Sequence, residues 1–176
     1  SPITQGQCLA ALKFLYKTLN VDIGDVDFVR AKKDKHHPTV LSEDDVFRLL
    51  ENLDGVYKIM GEMIYGGGLR LMECLRLRVK DVDLDNLSVT LRDTKSNRDR
   101  VTCLPASVVP MLRLHLEKVK ALHNEDLARG LGMVEMPYAY DRKSPNAGLE
   151  WGWQYVFPAA GLSKDPRTGR TGRHHI

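Results

Sequence analysis

Between Val79 and Leu104 the apolar residues leave the helical spacing that governs the chain on either side. They fall instead into three short, β-branched runs, with Val79, Val82 and Leu84 in the first, Leu87–Leu91 in the second and Val101–Leu104 in the third. Asp85-Asn86 and a polar loop separate the runs, so the segment predicts a small three-stranded antiparallel sheet. Helical patterns surround it. Leu9, Leu12, Phe14, Leu15, Tyr16 and Leu19 predict an amphipathic helix over Gln7–Leu19. Ser42, with Asp45 three positions on, predicts an N-cap and a helix to about Asn52. Val56, Ile59, Met60, Met63 and Ile64 predict a second helix running into Tyr65-Gly66-Gly67-Gly68, where three glycines should halt it. A short helix follows from about Leu71 to Leu77. Beyond Pro105, Val108, Val109, Leu112, Leu116, Val119 and Leu122 carry a long helix to about Gly130. The expected class is α+β, mostly α. Residues 131–176 are rich in Gly, Pro and aromatics, with little periodicity and no internal repeat.

A chain of 176 residues with 43% hydrophobic and 28% charged residues has enough apolar side chains for one main domain with a proper core. No apolar run approaches the roughly 18 residues of a membrane span, and no basic-then-apolar leader is present, so a cytoplasmic protein with no membrane partner is expected. Cys8, Cys74 and Cys103 are odd in number and widely spaced, which reads as reduced and structural. The glycine run lacks the Gly-Lys-Ser/Thr of a phosphate-cradling loop, and the adjacent His174-His175 pair rarely converges on one metal, so neither cofactor nor metal is expected. Both ends of the chain read as cuts in something longer.

The net charge of +3 permits a polyanionic partner without requiring one. Arg30, Lys32 and Lys33 lie in a stretch before Pro38 that reads either as a solvated connector or as a strap along a phosphate backbone. Arg70 follows the glycine turn and has Glu73 three residues on. By residue chemistry it is either a planar fork for phosphate oxygens or an arginine pinned on Glu73 to hold the turn. Trp151 and Trp153 read by themselves as core aromatics, and the His174-His175 pair as a stray polar end.

The run Tyr65-Gly66-Gly67-Gly68-Leu69-Arg70-Leu71-Met72-Glu73-Cys74-Leu75, continued by Arg76-Leu77-Arg78-Val79-Lys80-Asp81, resembles the first catalytic box of tyrosine recombinases. Arg92 to Arg100, closed by Leu104-Pro105, resembles that family's lysine-bearing hairpin. Thr94 and Ser96 stand where the family usually has glycines, and Gly67 replaces a common threonine. The resemblance implies the N-terminal half of a catalytic domain that breaks and rejoins DNA without a metal. It casts Arg70 as the clamp on the scissile phosphate and Lys95 as general acid to the leaving oxygen, with Glu73 supporting the site and orienting Arg70. Arg76, Arg78, Lys80, Arg98 and Arg100 would add a basic surface for DNA.

The tail, Trp151-Gly152-Trp153-Gln154-Tyr155-Val156-Phe157-Pro158, then Ser163 to Gly169 and Arg173-His174-His175, resembles a stretch peculiar to integron integrases. Those enzymes recombine a folded single strand, so Trp153, Pro166, His174 and His175 would offer faces to unpaired bases. The resemblance implies three parts: residues 1–20 as the last helix of a DNA-clamping domain, 21–40 as a basic linker, and 41–176 as a partial catalytic domain with an insertion at about 131–176. The partner is DNA, as a folded single strand or a duplex recombination site. The family's His-x-x-Arg box and terminal tyrosine do not occur, Tyr155 being the last tyrosine. This chain alone is therefore expected to bind DNA at most, and to dimerise or be poorly soluble through apolar surface that the missing half would cover. Rival readings are a non-catalytic DNA-binding module or regulator, and a plain interaction domain whose basic excess is incidental.

Overall fold

Near the N-terminus the helical spacing of apolar residues forms α1 (Pro2–Thr18). It ends where the Thr18 hydroxyl donates to the Phe14 carbonyl at 2.9 Å and Asn20 turns to φ 53°. The computed structural model describes residues 2–22, 24, 39–92, 99–137, 140–165 and 169–176. The chain separates into two units, Ser1–Leu41 and Ser42–Ile176. In the first, the expected basic strap with Arg30, Lys32 and Lys33 lies outside the described residues.

The second unit opens on α2 (Glu43–Glu51), capped as its sequence predicts: Ser42 is extended and its hydroxyl oxygen accepts from the Asp45 N–H at 3.2 Å. Helix α3 (Gly55–Gly67) runs on through Gly66 and Gly67 and stops only at Gly68, whose φ of 62° closes the helix in the left-handed region. The expectation that the whole glycine run halts the helix is thus corrected at two of its three positions. A Cβ on Gly66 would stand 2.5 Å from Pro105 Cγ, and one on Gly67 2.9 Å from the Cys103 carbonyl oxygen. Those glycines serve close approach to the strand behind them. Helix α4 (Leu71–Leu75) is a single turn, ending two residues earlier than its apolar pattern suggests.

Residues Val79–Asp81 form a 3-10 turn rather than the start of a strand. The sheet then follows in order β1 (Val82–Asp83), β2 (Ser88–Leu91) and β3 (Arg100–Cys103), antiparallel throughout. Val82 pairs with Val89, and Ser88 with Cys103. Alternation puts Val89 and Leu91 on the core face. A 3-10 turn at Ala106–Val108 leads into α5 (Val109–Ala128).

The aperiodic tail is held by short elements: α6 (Tyr140–Lys143), 3-10 turns at Ala147–Leu149 and Trp151–Trp153, and a hairpin of β4 (Ser163–Lys164) with β5 (Thr171–Gly172). Isolated antiparallel bridges join Arg78 to Tyr155 and Pro158 to His175. The tail's Val156 and Phe157 are fully buried in one core with Met63, Cys74, Val89, Val108 and Leu112. No helix among the described residues is long and apolar enough to cross a membrane.

Candidate nucleic-acid interface

Arg70 sits at the N-terminal boundary of α4, and Glu73 is the third residue of that turn, close enough to reach back. The Arg70 backbone N–H donates to Glu73 Oε2 at 2.8 Å, closing half of a capping box. The Arg70 guanidinium donates through Nη1 to Glu73 Oε1 at 2.6 Å. From β3, Arg100 reaches over the end of α3 and donates through Nη2 to Glu73 Oε2 at 2.9 Å and to the Gly68 carbonyl at 3.0 Å. The Thr102 hydroxyl donates to the Gly67 carbonyl at 2.7 Å, which fixes the strand to the same helix end. Burial alone would raise the Glu73 pKa, but the Arg70 backbone and the two guanidinium groups outweigh it and hold the carboxyl below its ordinary value. A carboxylate only 9% exposed thus organises two arginines, of which Arg70 keeps 58% of its side chain in solvent. The rest of that guanidinium edge faces outward with no further partner among the described residues.

At the root of the connecting hairpin, Arg92 Nε donates to the buried Asp81 carboxylate at 2.7 Å, and its Nη1 lies 3.6 Å from Asp99. Lys95 and Arg98, the expected general acid and its basic neighbour, lie outside the described residues.

Arg78, taken from sequence as part of a DNA surface, is half-buried and committed to the protein. It donates to the Trp153 carbonyl at 2.9 Å and the Glu135 carbonyl at 2.8 Å, and its Cζ lies 3.6 Å from the centroid of the Tyr155 ring. Backbone bonds from Val79 N–H to the Gln154 carbonyl (3.0 Å) and from Val156 N–H to the Leu77 carbonyl (2.9 Å) complete the junction. Burial raises the Tyr155 pKa, with Arg78 opposing it, and the ring packs against His174 and His175 at 5.4 and 5.5 Å. That is a packing arrangement and offers no nucleophile to DNA.

Lys80 stands on the neighbouring pair, its Nζ 2.9 Å from the centroid of the Trp153 ring, while Tyr140 meets the same indole at 5.1 Å and 42°. An ammonium over an accessible indole contributes about 0.5–1 kcal/mol. Farther along the tail, Arg173 forks onto the buried Asp126 carboxylate at 2.5 and 3.2 Å and also bonds the Ala159 and Ala160 carbonyls. His174 Nε2 lies 3.4 Å from Glu135. A groove of about 800 Å³ is lined by residues that include Glu73, Arg76, Arg92, Trp153, Lys164 and His174. Among the described residues no cluster of His, Cys, Asp or Glu is arranged to hold a metal.

Residues 39–158 match the model of the phage integrase family. The chain belongs to that family. Its likeness extends to an "Integrase/recombinase" of Escherichia coli and another of Pseudomonas aeruginosa. Each is 39% identical over 175 residues, a match covering 98% of this chain and 52% of the relative. "Tyrosine recombinase XerA" of Thermococcus kodakarensis is 34% identical over 83 residues, 46% of this chain and 29% of that protein. A crystal structure of XerA recombinase aligns with a TM-score of 0.42 at 28% identity, over 66% of this chain and 42% of that one. This phage integrase family chain therefore spans about half the length of the integrase/recombinases it matches.

Within this family member, the structure brings Arg70, Glu73 and Arg100 together, and puts Arg76, Trp153 and His174 on one groove. His175 pairs with Pro158 at the tail's end, and Pro166 lies outside the described residues. Sequence reasoning missed Arg92–Asp81, Arg173–Asp126 and the internal commitment of Arg78. For Arg78 no local signal exists, because Val79–Asp81 and Trp151–Trp153 are 3-10 turns and the bridge to Tyr155 is isolated.

Proposed function

We propose that this chain is the part of a site-specific DNA recombinase that supplies the first half of the phosphate site. Arg70 clamps the scissile phosphate, Glu73 orients it, and Lys95 protonates the leaving oxygen. Arg76, Arg98 and Arg100 hold neighbouring phosphates, and the strap with Arg30, Lys32 and Lys33 follows the DNA backbone, in the cytoplasm where the DNA is. The observation that carries this reading is the outward guanidinium edge of Arg70, anchored on its inner side by the buried Glu73 carboxylate. A clamp needs one side fixed and one side open, and Arg70 has both. We further assign the chain to the integron type, acting on a folded single strand, with Trp153, Pro166, His174 and His175 as faces for unpaired bases. Trp153 and His174, which line the groove, support that assignment.

The test uses a protein carrying this chain together with the remaining half of its relatives' length. Arg70→Ala should abolish strand cleavage, by at least about a hundredfold, while hairpin binding stays within a few fold. Cleavage at the unsubstituted rate would remove Arg70 from the clamp role. Binding of the 176-residue chain to a DNA hairpin that does not weaken with salt would remove the DNA reading altogether.

A further inference from the structure

The turn between α3 and α4 carries Arg70, and β3 reaches that turn with two side chains. Arg100 and Thr102 stand two residues apart on the strand, so they share one of its faces. The Thr102 hydroxyl donates to the Gly67 carbonyl at 2.7 Å, and Arg100 Nη2 donates to the Gly68 carbonyl at 3.0 Å. Both carbonyls lie at the end of α3, where the helix itself supplies no donor. Thr102 goes no further. The same Arg100 Nη2 also donates to Glu73 Oε2 at 2.9 Å, the oxygen that accepts the Arg70 backbone N–H at 2.8 Å. Glu73 Oε1 is left to the Arg70 guanidinium at 2.6 Å.

The last torsion of a glutamate side chain is soft, so a carboxylate held by one donor can still turn. Two donors on Oε2, one from the turn and one from the strand, fix the direction in which Oε1 points, and the Arg70 guanidinium takes its place from Oε1. We infer that Arg100 is a positioning residue for the clamp, holding the Glu73 carboxylate in the orientation that aims Arg70 at the phosphate. The inference rests on the reading of Arg70 as that clamp. Charge works in the same direction. A phosphate at Arg70 shares one guanidinium with the Glu73 carboxylate, two anions repel each other there, and the second guanidinium beside Glu73 offsets the repulsion. The Arg100 side chain keeps 39% of its surface in solvent, so an outer edge remains for a neighbouring phosphate while Nη2 works inward.

The test uses the protein that carries this chain with the remaining half of its relatives' length, and reads two quantities for each variant: affinity for a recombination-site hairpin, and the single-turnover cleavage rate at saturating protein. Arg100→Met should lower that rate about tenfold or more, since a misplacement of about 1 Å can cost about a hundredfold, and should weaken affinity by no more than a few fold. Arg100→Lys, which retains a donor for Glu73 and guards against a fold lost with the methionine, should recover most of the rate. Thr102→Val cuts the parallel strand–helix bond and leaves Glu73 untouched, so its rate should stay within a few fold of the unsubstituted protein. Added to Glu73→Gln, Arg100→Met should bring little further loss, because both substitutions disable one unit. An unchanged rate at saturation, no recovery by lysine, an equal loss in Thr102→Val, or losses that multiply in the double variant would each overturn the inference and leave the Arg70 clamp standing. Cleavage at the unsubstituted rate by Arg70→Ala would instead remove the reading on which it rests.

Discussion

Glu73 shows how little freedom a residue has once its partners are set. Its two oxygens receive one backbone N–H and two guanidinium groups, so substitution removes an anion that Arg70 and Arg100 both need nearby. Glu73→Gln should cost about 1.5 kcal/mol at neutral pH, the lower range for hydrogen bonds to charged groups, because both arginines keep access to solvent. The sign with pH follows from the depressed carboxyl pKa. The stabilisation is fully present above the unfolded-state carboxylate range and is lost as pH falls through the lower folded value. Urea melts at a series of pH values should therefore show the wild-type advantage over Glu73→Gln shrinking on acidification; a constant gap would mean that the carboxylate's charge is irrelevant. From sequence, Glu73 three residues after Arg70 was legible as a local pair. The third member, Arg100, comes from a strand 27 residues away, and no local pattern announces it.

At the scale of the element, α3 and the sheet depend on how closely two backbones approach. The glycine run predicts a helix stop across residues 66–68, yet Gly66 and Gly67 are helical and lie against Pro105 and Cys103. Gly67→Ala should destabilise the unit by about 1–3 kcal/mol, as overpacking of a tight contact does, because the new Cβ meets a carbonyl oxygen that cannot swing aside. Gly68→Ala should cost about 1 kcal/mol for a different reason, the positive φ at the helix end. Thermal melts of the two variants measure both costs. A Gly67→Ala protein as stable as wild type would show that α3 and β3 can separate freely. This contact also gives a reason for the missing threonine at position 67, since a branched side chain there would collide with the strand.

On the scale of the molecule, the tail is part of the core that α3, the sheet and α5 share. Phe157 and Val156 have no solvent exposure and pack in the same cluster as Met63 and Leu112, so Phe157→Ala should cost about 3–5 kcal/mol. Residues 42–176 should then unfold as one unit, with Trp151 and Trp153 fluorescence in the tail and amide protection in α5 lost at the same urea concentration. Separate transitions would make the tail an independent appendage. The sequence by itself determined the number and kind of the main elements, the cap at Ser42 and the pairing of Arg70 with Glu73, because period, capping and i,i+3 contacts are local physics. Only the tertiary structure decided that Arg78 turns inward, that Arg173 forks onto Asp126, and that an aperiodic tail closes the core. Those outcomes depend on which distant carbonyl, carboxylate or ring happens to face each side chain after packing, and that information is held by no single stretch of the chain.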